Sequence, residues 1–309
     1  MHPRIVYDLA VSLDWEYDWD FVRLIEASAR AHGLTTYVVH PGNLDAALAE
    51  WDAGKIDFRV LFDRAAATSP EFVPLQNRML GCGRKVIDSL NRLRWASDKA
   101  TMHLEFISRG VRTPHTVILP DHRSVPDIEI DPEDMEPLRA PFYIKPANTT
   151  GGSIGVIRGA RTPDDVRKAR RTYPNDKYLI QECIEPEERD GKRFWFRGYH
   201  VLGRFLAAWW NDVTLLYAEL TPEDIETYDL MPLFAVVQKI AGICRVGFFS
   251  TEIARDLEGR YVVVDYVNES CDMRLQSVHP DGVPDAVVRA VAGRIAEHVR
   301  DMERERRRS

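Results

Sequence analysis

Two acidic residues stand inside apolar segments on either side of a tight turn. The stretch GFFSTEIARDLEGRYVVVDYVNES, residues 247–270, predicts a β-hairpin with DLEG as a four-residue loop. That register places Glu252 opposite Val263, so Asp265 shares the face of Glu252 and lies diagonally across from it. Two neighbouring carboxylates repel each other unless a cation lies between them, and Asn268 adds an amide oxygen just past the strand. Oxygen ligands favour Mg²⁺, although a pair of solvent-facing acids on an antiparallel sheet is an open alternative.

Positive charge recurs at positions that suit phosphate binding. Lys145 ends the apolar strand PFYIK, and the loop NTTGGSIG that follows contains Gly151 and Gly152, whose backbone N–H groups can approach an anion closely. An ordinary explanation is also open, because Gly-Gly is common in hairpin turns. Further cations that suit an anion site are Lys99, in SDKATM, and Arg193 and Arg197, which fall on one face of a strand.

The familiar nucleotide-binding motifs are missing from the sequence. There is no G-x-x-x-x-G-K-[ST], which excludes a P-loop. The stretch GCGRKV lacks the third glycine of G-x-G-x-x-G and precedes a strand instead of following one, so it predicts a turn. If the protein holds phosphates, the strand-end lysine and the glycine-rich loop must hold them.

The composition limits the partners and the setting of the protein. The 309 residues carry 41 basic and 48 acidic side chains, and the net charge of −7 argues against nucleic acid as the main partner. The four cysteines are far apart and predict reduced thiols rather than disulfides or a zinc site. No apolar run approaches the roughly 18 residues of a membrane span, and no signal-peptide pattern opens the sequence. We therefore expect a cytoplasmic protein that does not enter a membrane.

The elements that position these residues change in character along the chain. Strands and helices alternate through residues 4–88, which predicts a doubly wound parallel sheet with helices on both faces. A polar, proline-rich stretch from Pro120 to Pro141 offers few core residues. The remainder predicts mostly antiparallel strands and three helices. Thr162, Pro163 and Asp165 are predicted to cap a helix over residues 164–173, a second helix spans residues 231–244, and a last helix starts at Pro284 and has a basic end expected to fray in solvent. The expected fold class is therefore mixed α/β and α+β.

The order of these motifs resembles the ATP-grasp superfamily, most closely its glutathione synthetase and ribosomal-protein glutamate ligase types. The segment NRLRWASDKATMHLEFISRGVRTPHTVIL is similar to the family's Asp-Lys helix start and following strand, and IKPANTTGGSIGV is similar to its lysine and mobile glycine-rich loop. LIQECIEP is similar to the hinge between the two lobes. The resemblance implies a pre-ATP-grasp domain over residues 1–92, a small lobe over 93–182 and a C-terminal lobe with the metal site over 183–309.

The resemblance also implies roles for individual residues. Lys99 and Lys145 would contact the phosphates of ATP, and the loop of Gly151, Gly152 and Ser153 would close over them. The other implied contacts are Glu182, Cys183 and Ile184 with adenine, an acid among Glu187, Glu188 and Asp190 with the ribose, Arg193 with phosphate, and Glu252, Asp265 and Asn268 with Mg²⁺.

Two departures from the family pattern concern the metal motif and the segment after it. The family commonly ends the motif with E-x-N, whereas Asp265-Tyr-Val-Asn268 is one residue longer, which bears on Asn268 more than on Asp265. The usual small or proline-rich loop is replaced by ESCDMR. The replacement predicts an altered acceptor pocket that involves Asp272 and Arg274.

The expected activity is ligation of a carboxylate to an amine through an acyl phosphate, with ATP and Mg²⁺ (or Mn²⁺) as cofactors. Lys145 and Arg193 would be catalytic, and loop closure would keep water from the intermediate. Two alternatives stay open: a small-molecule kinase on the same scaffold, and a non-catalytic ATP-binding protein. Both ligase substrates are expected to be small molecules, and the resemblance makes a homodimer an expectation as well.

Several side chains are candidates for substrate binding. They are Asp63, Arg64, Asn91, Arg197 and Arg274. Asp63 and Arg64 follow an N-terminal strand, where an α/β sheet presents ligand groups, but they could equally form a structural ion pair. Trp209 and Trp210 could line an acceptor pocket, although their large area favours packing in a core.

Overall fold

A four-stranded parallel sheet forms the N-terminal part of the molecule. The computed structural model describes residues 4–149 and 154–308. The strands stand in the order β2-β1-β3-β4, and all of them are parallel. Helices alternate with them, and the bounds are β1 Ile5–Ser12, α1 Trp19–Ala31, β2 Thr36–Val39, α2 Leu44–Asp52, β3 Ile56–Asp63, α3 Val73–Gly81 and β4 Lys85–Ile87. The predicted parallel sheet is confirmed, and β3 is buried along nearly its whole length, as a sheet covered on both faces requires.

Two helices separated by one residue lead out of this sheet. They are α4, Leu90–Ser97, and α5, Lys99–Ser108. Asp98 has extended backbone angles that end α4, and its carboxylate caps α5 by accepting a hydrogen bond from Thr101 N at 2.7 Å. The sequence predicts α5 but not α4. The cap makes Lys99 the first residue of a helix.

A four-stranded antiparallel sheet forms a small lobe, in the order β5-β8-β6-β7. Its elements are β5 Thr116–Leu119, α6 Pro132–Met135, β6 Phe142–Pro146, β7 Ile157–Ala160, α7 Pro163–Arg170 and β8 Tyr178–Glu182. Thr162 and Asp165 form the predicted capping box of α7. Ile130 and Leu138 are buried in the core of this lobe, so the proline-rich stretch contributes more to the core than the sequence suggests.

A five-stranded antiparallel sheet forms the large lobe, in the order β13-β12-β11-β14-β15. A short hairpin, β9 Glu188–Arg189 and β10 Lys192–Arg193, precedes it. The other elements are β11 Trp195–Val201, β12 Arg204–Asn211, β13 Leu216–Glu219, α8 Pro222–Thr227, α9 Met231–Cys244, β14 Phe248–Arg255, β15 Tyr261–Asn268 and α10 Asp285–Arg308. Helix α9 packs under β11, where Gly198 leaves it room: a Cβ there would lie 2.6 Å from Val237.

Shared cores join these parts. Val288 and Ile295 of α10 lie in one core with Phe21 of α1 and Phe248 of β14. Glu303, near the end of α10, is buried and accepts a hydrogen bond from Arg59 Nη1 at 2.7 Å, so the expected fraying is wrong as far as this residue. None of the described helices is long and apolar enough to cross a membrane. The domain boundaries after residues 92 and 182 stay a prediction.

Candidate active site

A bulge in the antiparallel pair β14–β15 brings the two acids of the hairpin together. Ile253 pairs with Val263, which makes the loop one residue longer than DLEG. Continued regularly, this pairing would set Glu252 opposite Val264 and turn Asp265 to the other face. A register shift at Val264 instead sets Glu252 directly opposite Asp265. The predicted register, with Glu252 opposite Val263, is wrong, although the two acids do share a face.

A second irregularity accounts for the long spacing of the metal motif. Ser250 pairs with Asn268 while Glu252 pairs with Asp265, so three steps along β15 match two along β14. A regular strand would place Asn268 on the opposite face from Asp265. Because cross-strand partners share a face, the extra residue returns Asn268 to the side of the acids, and all four residues line the same cleft.

Each of the two acids is held by a cation. Oε1 of Glu252 lies 2.7 Å from Nη2 of Arg197, its cross-strand partner on β11. Trp195 Nε1 donates to Oε2 of Glu252 at 3.2 Å. Oδ1 of Asp265 lies 3.2 Å from Lys99 Nζ. Arg197 and Lys99 therefore balance the negative charge of the two acids, at a place where a bound metal ion could also do so.

Lys145 is a buried cation at the same place. Its residue is 8% exposed, and its Nζ donates to the carbonyl oxygen of Val264 at 3.3 Å. Burial lowers the pKa of Lys145, while Asp265 and Glu252 oppose part of this shift. Burial also raises the pKa of Asp265, but neighbouring cations, Lys99 foremost, outweigh that effect and hold the pKa well below its usual range. Asp265 is thus ionised at neutral pH.

Backbone hydrogen bonds bring the two lysines together and hold the start of the loop. Lys99 N donates to the carbonyl of Ala147 at 3.1 Å, which ties the start of α5 to the segment after Lys145. The buried carboxylate of Asp176 accepts from Thr149 N at 2.8 Å. The predicted loop residues Gly151, Gly152 and Ser153 lie outside the described residues.

A cleft of about 1030 Å³ lies between the two antiparallel sheets, a volume that suits a ligand of ATP size. Trp15 and Thr68 of the N-terminal region also contribute to its wall. The predicted site residues that the cleft brings together are Lys99, Lys145, Arg197, Glu252, Asp265, Asn268 and Arg274.

The oxygen atoms of Glu252, Asp265 and Asn268 fit a Mg²⁺ ion that also binds phosphate. Mg²⁺ in proteins usually takes one or two carboxylates and completes its coordination with substrate phosphates and water. Two carboxylates and one amide oxygen on one face of the paired strands β14 and β15 supply such a set. Among the described residues, no group of three or more His, Cys, Asp and Glu side chains could hold a metal ion. The donor set therefore suits a metal that arrives with a nucleotide.

Arg193 lies beside the cleft rather than in its wall. Its Nε is 2.6 Å from Asp212 and its Nη1 is 2.8 Å from Glu188, so two carboxylates occupy its guanidinium. Asp212 lines the cleft, but Arg193 does not. The guanidinium next to the metal-site acids belongs to Arg197, on β11. The arrangement favours Arg197 over Arg193 as a phosphate contact, and the role of Arg193 stays a prediction.

The residues predicted to bind adenine line a separate pocket of about 370 Å³. Glu182 pairs with Phe142, which packs in the small-lobe core, so its side chain lies on the face away from the cleft. Its carboxylate accepts a hydrogen bond from His115 N at 2.8 Å. This arrangement therefore does not favour a side-chain contact of Glu182 with adenine, and the contacts predicted for Glu182, Cys183 and Ile184 stay predictions.

The acids predicted to bind the ribose are engaged elsewhere. Glu187 pairs with Arg255 at 2.7 Å, and Glu188 pairs with Arg193. Asp190 is exposed, between β9 and β10. Of the three acids, none lines the cleft formed by the described residues. The ribose contact assigned to Asp190 is not supported by this geometry.

Asp63 and Arg64 are structural. Oδ1 of Asp63 accepts from Ser12 Oγ at 2.7 Å and from two backbone N–H groups at 3.0 Å, and Oδ2 accepts from Gln76 Nε2 at 2.6 Å. Arg64 forms a buried, bidentate pair with Asp18 at 2.7 and 2.8 Å and donates to a carbonyl in the loop after β15. Neither residue lines the cleft, and they do not pair with each other. The geometry therefore favours the structural alternative for both residues, and their substrate role stays a prediction.

The remaining substrate candidates differ in their access to the cleft. Asn91 is exposed on α4 and does not line the cleft. Arg274 does line it, but Asp272 at 2.7 Å and Asp281 at 3.0 Å neutralise its guanidinium. The structure thus gives no support to a substrate contact of Asn91, and Arg274 lines the cleft with its guanidinium already paired. Both substrate roles stay predictions.

Of the two adjacent tryptophans, one packs in the core and the other lines the cleft. Trp209 is buried in the core beneath the large sheet and donates to Asp224 at 3.0 Å. Trp210 lines the cleft, with the guanidinium of Arg197 5.0 Å from its ring. Alternation along β12 explains the split.

Other residues of the cleft wall were not predicted from the sequence. Arg158 lies on β7 directly after the glycine-rich loop, donates to the carbonyl of Asp212 at 3.1 Å and lies 6.0 Å from the ring of Tyr143. Trp195 stands two residues before Arg197 on the same strand face. Glu269 follows the metal motif, and burial raises its pKa. The position of Arg158, second on the strand that follows the loop, is a signal that could have marked it.

Comparison with solved structures shows that the chain has the ATP-grasp fold, which confirms the predicted mixed fold class. A RimK domain ATP-grasp protein from Sphaerobacter thermophilus is 20% identical, with a TM-score of 0.62, 94% of this chain covered and 98% of the other. D-alanine–D-alanine ligase from Bacillus anthracis complexed with ATP is 14% identical, with a TM-score of 0.63, 96% of this chain covered and 99% of the other. D-cycloserine synthetase DcsG is 17% identical, with a TM-score of 0.58 and coverage of 95% and 99%. No protein-family model and no curated protein matches the sequence.

Proposed function

We propose that the protein is an ATP- and Mg²⁺-dependent ligase that joins a carboxylate to an amine through an acyl phosphate. The observation that carries this proposal is the pairing of Glu252 with Asp265 in a cleft that also holds Lys99, Lys145 and Arg197. Acids that attract a cation and cations that attract phosphate oxygens suit a metal-bound polyphosphate. Several solved neighbours with the same fold are ligases by name, which supports the same class of reaction.

The cations of the cleft have distinct roles in this proposal. Lys99 and Lys145 would bind phosphate oxygens, and the burial of Lys145 strengthens such a contact because little water competes. Arg197, beside Glu252, would neutralise the negative charge that develops on the transferred phosphoryl group. Arg158, next to the loop, would add a further phosphate contact from the small lobe.

The reaction consists of two steps. A carboxylate oxygen attacks the γ-phosphorus of ATP, the bond to the β–γ bridging oxygen breaks, and ADP leaves. The amine then attacks the acyl carbon of the acyl phosphate, phosphate leaves with the bonding electrons, and the nitrogen loses a proton to give the amide. Tyr143, Trp195 and Trp210 line the cleft, and such walls limit the water that would hydrolyse the acyl phosphate.

Glu252, Asp265 and Asn268 would hold the Mg²⁺, which supplies positive charge to the phosphate oxygens when bound. The protein itself must keep these oxygens available as ligands. The low pKa of Asp265 meets this need, because the carboxylate stays ionised at neutral pH despite its burial.

The test is a screen for Mg²⁺-dependent ADP release with pairs of small carboxylates and amines. Release should need both substrates, and mass spectrometry should detect an amide. Glu252→Ala and Lys145→Ala should each lower the rate on the order of 10³-fold, because each removes a charge at the reacting phosphate. Glu258→Ala, which removes an exposed acid from the same hairpin, is the matched control and should keep the rate.

Two results would contradict the proposal. Wild-type rates from both Glu252→Ala and Lys145→Ala would show that the site lies elsewhere. A stable phosphorylated product that forms without an amine would show phosphoryl transfer to a hydroxyl group instead of ligation.

A further inference from the structure

Arg197 keeps an unused hydrogen-bond donor in the wall of the cleft. Its Nη2 lies 2.7 Å from Glu252, and the residue as a whole is only 9% exposed. The buried Nε of Arg197 has no hydrogen-bond partner in residues 4–149 and 154–308. Because a buried donor without a partner is unfavourable, this atom indicates that a further acceptor belongs next to the guanidinium.

The aromatic ring of Trp210 lies beside the same guanidinium. Cζ of Arg197 is 5.0 Å from the centre of the ring, within the range of a cation–π contact. The sheet explains this contact, because Arg197 pairs with Ala208 on β12 and Trp210 follows two residues later on the same face. Ala208 is too small to reach over the guanidinium, so the ring of Trp210 is the neighbour on β12 that contacts it.

The ring of Trp210 is itself held from two sides. Tyr217, its cross-strand partner on β13, lies 4.4 Å away between ring centres. Trp210 also packs against the buried cluster of Trp195, Ala254 and Val264. Close packing of this kind restricts the rotation of a side chain, so Trp210 presents a fixed surface to the guanidinium.

Arg197 must change partners if a metal-bound nucleotide enters the cleft. In the proposed ligase, Glu252 gives an oxygen to Mg²⁺, and Arg197 turns to a phosphate oxygen. A ring face attracts the cation as a whole and not through one particular N–H group. The guanidinium can therefore turn over the ring of Trp210 without losing this contact.

We propose that Trp210 is a positioning residue, which holds the guanidinium of Arg197 while it turns from Glu252 to the phosphates of ATP. Without the ring, the released side chain would sample several rotamers, and ordering it again would weaken nucleotide binding. The inference rests on the proposed function, because it needs ATP and Mg²⁺ in the cleft. It adds to that function a residue that acts through Arg197.

Calorimetric titration with Mg²⁺ and a non-hydrolysable ATP analogue tests the inference without turnover. Trp210→Leu should weaken binding of the analogue about 10-fold, the effect expected from the loss of a buried contact of this type. Trp210→Phe keeps a ring face and should stay within about 3-fold of the wild type. Trp210→Met, which also removes the ring, takes the place of Trp210→Leu if the leucine variant does not fold.

A double-mutant cycle separates positioning from direct contact with the nucleotide. In an Arg197→Ala background, Trp210→Leu should change the affinity by less than about 2-fold, because the residue through which Trp210 acts is gone. Val213→Ala controls for damage to the hairpin. Val213 is 69% exposed in the turn between β12 and β13, and this variant should keep the affinity of the wild type.

Three results would overturn the inference. They are an unchanged affinity in Trp210→Leu, a loss in Trp210→Phe as large as that in Trp210→Leu, and an equal loss from Trp210→Leu with and without Arg197. If the wild type does not bind the analogue at all, the inference and the proposed function are both wrong. If binding and the cycle agree with the expectation but no pair of substrates releases ADP, only the ligase proposal is wrong.

Discussion

Charged residues stand in two strand regions of this molecule, and their partners differ in kind. At the end of β3, Asp63 accepts hydrogen bonds from buried side chains and backbone groups, and Arg64 is locked to Asp18. On β14 and β15, Glu252 and Asp265 also form ion pairs, with Arg197 and Lys99 respectively. The difference is that the partners of this second pair, Arg197, Trp195 and Lys99, all line the cleft as well.

The comparison separates structural charge from charge that can do chemistry. The donors around Asp63 belong to the fold, so exchanging them for a ligand would break the local structure. Lys99 and Arg197 can instead turn from an acid to a phosphate oxygen, because both groups face open volume. A charged residue at a strand end therefore indicates function only when its partners face the same cavity.

The largest effect should come from removing one acid at the cleft. Asp265→Asn should lower Mg²⁺-dependent ADP release on the order of 10³-fold, since an amide no longer carries the charge that a metal-bound phosphate needs. Steady-state kinetics of ADP release measure the loss. Asp256→Asn, in the turn of the same hairpin, is a control for general damage. If Asp265→Asn keeps a rate within a few-fold of wild type, the acids of the cleft are structural like Asp63, and the proposed contrast between the two regions is wrong.

Arg64→Met should affect stability instead of chemistry. It leaves the carboxylate of Asp18 buried without its cation, which costs on the order of 3 kcal/mol in the free energy of unfolding. Denaturant titration measures this loss. The affinity of the folded Arg64→Met protein for a non-hydrolysable ATP analogue should stay within a few-fold of wild type. If Arg64→Met lost nucleotide binding but kept its stability, Arg64 would be a ligand-binding residue and not a structural one.

A buried histidine behind the cleft gives a pH signature of intermediate size. His103 bonds to the hydroxyl of Tyr266 at 2.7 Å, and burial lowers its pKa to about 4. The neutral form is favoured in the folded state, so its contribution to stability is complete above about pH 6.5 and is lost as the pH falls toward 4. Between pH 7 and pH 5 the wild type should lose up to about 2 kcal/mol more than His103→Gln. Parallel pH dependence of unfolding in the two proteins would show that His103 is protonated in the fold.

Asn91→Ala should have the smallest effect. The side chain is exposed and off the cleft, so the free energy of unfolding should change by no more than about 0.5 kcal/mol, and the rate of ADP release should not change. Thermal unfolding and the ADP assay measure both quantities. A tenfold lower rate would mean that α4 presents a different face to the substrate.

Local patterns in the sequence predict most of the fold. Helix α9, expected over residues 231–244, spans Met231–Cys244, and the capping box at Thr162 starts α7 as predicted. Hydrophobic periodicity and caps are local signals, and these elements follow them. Helix α4 is the exception, since it depends on Leu93 and Ala96 packing into the core of the large lobe.

The site was predictable in its residue types but not in its register. Two irregularities in β15 decide which side chains face the cleft, and the sequence near the turn gives no sign of them. They depend on tertiary packing, because Tyr266, within the second irregularity, is buried and bonds to Gln181 at 2.7 Å. The choice of Arg197 over Arg193 likewise depends on where Asp212 lies in the fold.

The bulge at Val264 has a mechanical consequence. Its carbonyl oxygen belongs to the residue that the register shift leaves without a cross-strand partner, and Lys145 reaches it from the opposite lobe. If the lobes swing apart to release product, the ammonium and the carbonyl lose each other at the same moment, which costs about 1–3 kcal/mol. This hydrogen bond stabilises the closed arrangement of the two lobes. In the proposed ligase, the rate of product release would therefore depend on an irregularity in one strand.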